Sequence, residues 1–186
     1  MATLILLNGP PRVGKSTLAA RYADLHPGTL CLDIDSLHYL IGGWRDIGAQ
    51  VHDLLRPLAL AMTHTHLAGG NDVIVPQYVA DPDAVAAFEL LAHRTGATFC
   101  EVVLMSTRDE AIERFADRPD DTEWAAHNRR LVADLGGPEF LGAMHDRLAD
   151  HLGRRPRSIV IESRRDAIDD TFADLLRAVG DQPSPS

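Results

Sequence analysis

Sulfur, aromatic and basic side chains are all scarce in this chain, and each shortage excludes something. Of 186 residues two are cysteine and 5% are aromatic. Cys31 and Cys100 both sit in apolar, strand-like runs, so they read as buried reduced thiols rather than as a disulfide framework. Lys and Arg number 18 against 27 Asp and Glu, a net charge of −9. That balance argues against nucleic acid or an anionic membrane as the main partner and leaves room only for a small local basic site. No apolar run approaches the roughly 20 residues a membrane span needs, and Met1 leads into TLILLNG without a basic leader or a cleavage pattern. The expectation is a cytoplasmic protein with no membrane partner. Internal repeats and interdomain linkers are also missing, so one domain is expected over residues 1–180, with a flexible polar tail at 181–186.

What the chain does have is an alternation of two periodicities. Short apolar runs bounded by Gly, Pro or polar residues, TLILLN (3–8), TLCLD (29–33), DVIVP (72–76), TFCEVVLM (98–105) and RSIVIE (157–162), suit strands buried on both faces. Helical stripes separate them: Leu18, Tyr22 and Leu25; then Val51, Leu54, Leu55, Leu58 and Met62; then Val85, Phe88 and Leu91 after an Asp81-Pro82 start; and finally Ile168, Phe172, Leu175, Leu176 and Val179. Strands alternating with helices imply right-handed crossovers and a five-stranded parallel sheet covered on both sides, a doubly wound α/β fold.

Between the first strand and the first helix the chain reads Gly9-Pro10-Pro11-Arg12-Val13-Gly14-Lys15-Ser16-Thr17. This is G-x-x-x-x-G-K-[ST] in the strand-to-helix context that a phosphate-binding loop requires. Glycines allow backbone N–H groups to turn inward around phosphate oxygens, the helix N-terminus adds positive potential, and Lys15 reaches the β and γ phosphates. Residues 9–17 are therefore the expected ATP-binding segment, with Ser16 a ligand for Mg²⁺. Next comes Cys31-Leu32-Asp33-Ile34-Asp35-Ser36, two carboxylates at the carboxyl end of a strand, where open parallel sheets bind ligands. Phosphoryl transfer to an alcohol needs a proton acceptor and a metal on the phosphates. Asp35 is the candidate base and hydroxyl ligand and Asp33 the candidate for Mg²⁺, directly or through water. Asp35 also reads as an N-cap for a helix starting at Ser36.

A kinase must exclude water from its reaction. Arg114 and Arg118, four apart before a Pro119-Asp120-Asp121 break, are candidate contacts to the transferring phosphoryl group on a lid of about 114–135, with Arg129 and Arg130 behind them. Glu162-Ser163-Arg164-Arg165 stands where an adenine would be cradled. The acceptor region is expected between Asp35 and the third strand, with Trp44 and Arg56, extended by Gln77 and Tyr78 just after that strand. Trp44 reads equally as a core plug, and Gln77 and Tyr78 equally as loop packing. His64 and His66 point about 200° apart on a helix, which argues against a metal pair.

The loop, the DIDSL segment and DVIVPQYVADP together resemble P-loop small-molecule phosphotransferases. DIDS is similar to the corresponding stretch of chloramphenicol phosphotransferase and, more loosely, of shikimate kinase; VPQYVADP and GPEF (137–140) look like the tunicamycin-resistance ATP-binding proteins. The resemblance implies a three-layer α/β/α P-loop fold with a helical lid and an ATP-dependent kinase whose Asp35 matches the family base. One departure stands out, since many P-loop enzymes carry an acid at the end of the third strand where this chain has Val75-Pro76-Gln77. Three functions follow as expectations: a kinase for a hydroxyl of a small antibiotic-type, sugar-like or nucleoside-like molecule, a nucleoside or nucleotide kinase, or a nucleotide-dependent sequestering protein without fast transfer. The acceptor's identity and the oligomeric state are open.

Overall fold

The computed structural model describes residues 1–47, 50–117 and 122–180. Its centre is β1 (Thr3–Asn8), which pairs in parallel with β3 (Val73–Pro76) on one side and β4 (Thr98–Met105) on the other. β2 (Leu30–Cys31) and β5 (Ile159–Glu162) complete the sheet in the order β2-β3-β1-β4-β5. The helices are α1 (Lys15–Leu25), α2 (Trp44–Ile47), α3 (Val51–Ala68), α4 (Pro82–Arg94), α5 (Arg108–Ala116), α6 (Glu123–Asp134), α7 (Pro138–Arg154) and α8 (Ile168–Ala178), and a 3₁₀ helix covers Ile34–Leu40.

Side chains alternate across β1, which explains why its run is apolar throughout. Leu4 and Leu6 enter one core with Val73, Val75, Leu55 and Phe88, whereas Ile5 and Leu7 enter the other with Ile74, Val102, Leu18 and Phe172. The result is the three-layer α/β/α arrangement with a five-stranded parallel sheet. α4 starts as expected: the Asp81 side chain accepts from Asp83 N and Pro82 occupies the first turn. Cys31 and Cys100 are free thiols, half-buried rather than fully enclosed. No helix among the described residues is long and apolar enough to cross a membrane.

On α1 the expected Leu18 and Tyr22 are buried, and only Leu25 at the end of the stripe is exposed. On α3 the buried line is Val51, Leu55, Ala59, Thr63 and Leu67, leaving Leu54, Leu58 and Met62 at the surface. Both lines have helical spacing; the one containing the small Ala59 and Thr63 lets the helix axis approach the core more closely, and close packing wins over side-chain size. β2 is shorter than its apolar run because the chain turns into the 3₁₀ helix immediately after Leu32, whose N–H donates to Ile74 O at 2.9 Å.

One charge lies inside the apolar β4. Glu101 is buried, accepting from Ser158 Oγ (2.6 Å), Arg155 Nε (3.0 Å) and Asn8 Nδ2 (3.3 Å), with His151 Nε2 at 2.9 Å. Burial pushes its carboxyl up, but the hydrogen bonds from Ser158, His151 and Asn8 outweigh this and hold it below the ordinary range. A carboxyl depressed in the folded state stabilises above its unfolded pKa of about 4.3 and loses that contribution as pH falls through the folded value. Glu101→Gln is expected to cost about 2–4 kcal/mol at pH 7 by removing the buried charge that Ser158, His151 and Arg155 Nε face, while Arg155 keeps Glu89 at 2.9 Å. Urea unfolding at pH 7 and pH 3.5 checks this: the variant should show a flatter pH dependence than the parent, and equal slopes would contradict the assignment.

Candidate functional site: the phosphate loop and the cavity beside it

The chain winds from β1 out to β2 and β3 on one side and to β4 and β5 on the other, so the carboxyl ends of β1 and β3 border the crevice where such sheets bind ligands. The loop Gly9–Gly14 leaves β1 there. Gly9 has φ 150°, and a Cβ on it would fall 2.6 Å from Leu104 O and 2.8 Å from Val13 Cγ1, so no other residue fits. Arg12 holds φ 73°, left-handed for a side chain that disfavours it, a local strain found most often where function demands the geometry. α1 begins with Gly14 as its cap, has no side-chain cap and carries no acid in its first turn. Its orphan N–H groups and positive end are therefore left for an anion.

Lys15 turns back across the loop, donating to Gly9 O at 2.8 Å and Pro10 O at 2.7 Å. Enclosure lowers its pKa to about 8, while Asp35 and then Asp33 pull it back up. Both candidate carboxylates thus act on the loop lysine. Ser16 Oγ donates to Asp33 Oδ2 at 2.8 Å, so the two candidate Mg²⁺ ligands already touch. Burial raises the Asp33 carboxyl, opposed by the Ser16 hydrogen bond. One hydroxyl and one carboxylate, both hard oxygen donors, suit Mg²⁺ completed by phosphate oxygens. The helix cap falls on Asp33, whose Oδ1 accepts from Asp35 N at 3.1 Å. Asp35 is not the capping residue, and its Oδ1 is buried with no hydrogen-bond partner among the described residues.

Beneath the loop lies a support that the sequence reading missed. Asn8 is fully buried; its Oδ1 accepts from Gly9 N (2.8 Å) and Val79 N (2.9 Å), and its Nδ2 donates to Val79 O (2.7 Å). One carboxamide thus ties the phosphate loop to the segment after β3 and, through Glu101, to His151 of α7. A polar residue ending an apolar strand directly before the first loop glycine was its only sequence signal. On the opposite side Ser163 Oγ donates to Val13 O at 2.9 Å, and Arg114 donates to Ser163 Oγ (3.1 Å) and Ser163 O (2.7 Å). Arg114 is therefore bound to the loop's underpinning rather than free above it. Arg118 lies outside the described residues.

Beside the loop opens a cavity of about 490 Å³ lined by Ile34, His52, Arg56, Gln77, Tyr78, Val79, Asp81, Phe88, Arg147, Asp150 and Arg154, among others. It brings together Arg56, Gln77 and Tyr78 of the expected acceptor set. Gln77 holds β1 through its N–H to Leu7 O at 3.1 Å. Trp44 corrects the expectation: it is buried away from the cavity in an aromatic cluster, 4.3 Å from the His38 ring and 5.7 Å from Trp124. Trp124 stacks on His38 at 4.0 Å, so this cluster docks α6 onto the 3₁₀ helix that carries Asp35. A ring that large is stabilised more by sealing a core than by standing over an open site. Arg147 and Arg154 on α7 were not anticipated, because only the fold brings that helix to this wall. His64 and His66 form no metal group among the described residues.

A family model described as an AAA domain matches residues 4–134. The chain belongs to that family, whose P-loop kinase-like fold it shares. Among solved structures, the tunicamycin resistance protein of Deinococcus radiodurans is similar over 100% of both chains at 19% identity and TM-score 0.64. A gluconokinase from Sinorhizobium meliloti matches with 96% of this chain and 94% of its own, at 17% identity and TM-score 0.61. The APS kinase of Mycobacterium tuberculosis matches over 96% and 97%, at 16% identity and TM-score 0.56. No curated protein matches the chain. At these identities the structural likenesses establish the P-loop kinase-like fold.

Two outcomes follow from the loop. Asn8→Ala leaves two buried N–H groups unsatisfied and should cost about 2–4 kcal/mol of stability, with nucleotide affinity falling about tenfold; urea unfolding and a nucleotide titration read both, and parent-like values for both would refute the clamp. Lys15 must be protonated to pair with phosphate, and its free-state pKa is about 8. Nucleotide affinity should be flat below about pH 7 and fall as pH rises through 8, with proton uptake on binding above that point. Calorimetry in buffers of different ionisation enthalpy at pH 8.5 measures the uptake, and heats independent of the buffer would contradict it.

Proposed function

We propose that this protein is an ATP-dependent kinase that transfers the γ-phosphoryl group of ATP to a hydroxyl of a small organic molecule held in the cavity beside the phosphate loop. The observation that carries the reading is the convergence on one lysine: Asp35 and Asp33 both act on Lys15, Asp33 is bonded to Ser16, and Asp35 keeps a buried oxygen without a partner among the described residues. A carboxylate oxygen that no protein donor satisfies is suited to accept the proton of an incoming alcohol. The neighbouring Ile34 lines the cavity, so the acceptor's hydroxyl end is expected on that side.

In this mechanism the backbone N–H groups at the start of α1 and the ammonium of Lys15 hold the triphosphate. Ser16 and Asp33 would hold Mg²⁺, which supplies neutralisation of charge on the β and γ oxygens. Asp35 accepts the hydroxyl proton as the acceptor oxygen bonds to the γ phosphorus, and the bridging oxygen leaves with ADP. Water is kept out by α5 and α6, the helices of the expected lid, with Arg114 pinned at Ser163 and the Trp124 cluster sealing α6 against the 3₁₀ helix. The setting expected for this reaction is the cytoplasm, with a nucleotide and a small-molecule acceptor as partners. A second reading, nucleotide-dependent sequestration without fast transfer, draws on Gln77, a carboxamide where many P-loop enzymes hold an acid; a nucleoside or nucleotide acceptor is a third.

ADP release measured with and without hydroxylated antibiotics, sugars and nucleosides separates these. Stimulated turnover supports the kinase, and tight ATP binding without stimulation supports sequestration. Lys15→Ala should abolish measurable transfer in a folded protein. Asp35→Asn should keep ATP affinity and lower kcat by about 10²–10⁴, the range for a lost general base; a variant that loses ATP binding instead would move Asp35 to the metal.

A further inference from the structure

Three guanidinium groups stand on the cavity walls, Arg56 from α3 and Arg147 and Arg154 from α7. Arg147 and Arg154 are seven residues apart, two turns of the same helix, and so share one face. In a chain of net charge −9, several arginines elsewhere are neutralised: Arg21 by Asp169 at 2.7 Å, Arg155 by Glu101 at 3.0 Å, Arg165 by Asp117 at 2.8 Å. None of the three cavity arginines makes an ion pair among the described residues, although Asp81 and Asp150 share the walls.

Arg147 stands beside two aromatic side chains. Its guanidinium lies 5.7 Å from the Phe140 ring centroid, and its charge acts on the Tyr78 hydroxyl, which donates to Met144 O at 2.9 Å. The planar fork of donors matches the two oxygens of a carboxylate or the edge of a tetrahedral oxyanion. Part of the wall is apolar, with Ile34, Val79, Ala84 and Phe88 available to a carbon skeleton.

Resting on the kinase reading, we propose that the acceptor is an organic anion: a hydroxylated small molecule bearing a carboxylate, sulfate or phosphate group. Arg147, with Arg154 and Arg56, holds the anionic group, the apolar wall holds the skeleton, and the hydroxyl faces Asp35. Neutral and cationic alcohols are poor acceptors by the same argument, because they offer the guanidinium groups no counter-charge.

The test saturates the protein with Mg·AMP-PNP, so that the phosphate loop is occupied, and then titrates sulfate or acetate at constant ionic strength while following the arginine Nε–Hε resonances. Saturable shifts at Arg147 and Arg154, weakened about tenfold in Arg147→Gln and in Arg154→Gln, are expected for the loss of one charge-assisted contact. Two variants on different turns guard against a local packing fault in either, and retained AMP-PNP affinity shows each to be folded. Anions that move neither resonance, or bind the variants as tightly as the parent, overturn the proposal while leaving the kinase reading intact. Failure to bind Mg·AMP-PNP at all overturns both. In the ADP-release assay, an anionic acceptor whose KM rises about tenfold in Arg147→Gln supports the site, and a neutral acceptor whose KM is unchanged by that substitution sinks it.

Discussion

The structure depends on how little space there is where β1 ends. Gly9 passes so close to Leu104 O that a Cβ would collide at 2.6 Å, and this contact forces the chain to turn at once from a strand buried on both faces into an open loop. A turn at that place exposes backbone N–H groups at the middle of the sheet, at the positive end of α1. Polar backbone at such depth must be supported. Asn8 supports it from below and Ser163 from the side, each by hydrogen bonds that cross more than seventy residues of sequence. The loop is thus a rigid part of the core rather than a surface loop, as phosphate binding requires.

Electrostatics then divide the site into two compartments. At the loop a single lysine is enclosed with two aspartates, and enclosure lowers its pKa more than the carboxylates raise it. Negative charge from a nucleotide relieves that imbalance, so ligand and lysine stabilise one another. In the cavity the imbalance has the opposite sign, with three guanidinium groups that form no ion pair among the described residues against two carboxylates in a chain that is acidic overall. Glu101 links the compartments mechanically: it accepts from Asn8 under the loop and from Arg155, one residue beyond α7, the helix that carries two of the cavity arginines. A buried carboxylate is tolerated there because hydrogen bonds replace its lost hydration.

Much of this was legible along the chain. Five apolar runs marked all five strands, although only the central ones are covered on both faces and β5 leaves Ile159 and Val160 exposed, and the glycine spacing around Lys15 marked the loop. The pairing of Ser16 with Asp33 followed from their places at the ends of adjacent elements. The stripe on α3 differs from the expected one because two sets of positions share a helical period and only packing selects between them. Trp44 stood open between acceptor contact and core plug for a related reason, its partners His38 and Trp124 being recruited from elsewhere in the chain.

Composition and local order by themselves determined the α/β class, the phosphate loop and the two aspartates beside it, because each of these depends on neighbours within a few residues. Only the tertiary structure decided which face of α3 is buried, that Asn8 and Glu101 support the loop, and that α7 sets two arginines opposite Arg56. Those relations join residues about 70 to 100 positions apart. Side chains so distant along the chain share no local pattern, and their meeting is fixed by how the helices close on the sheet.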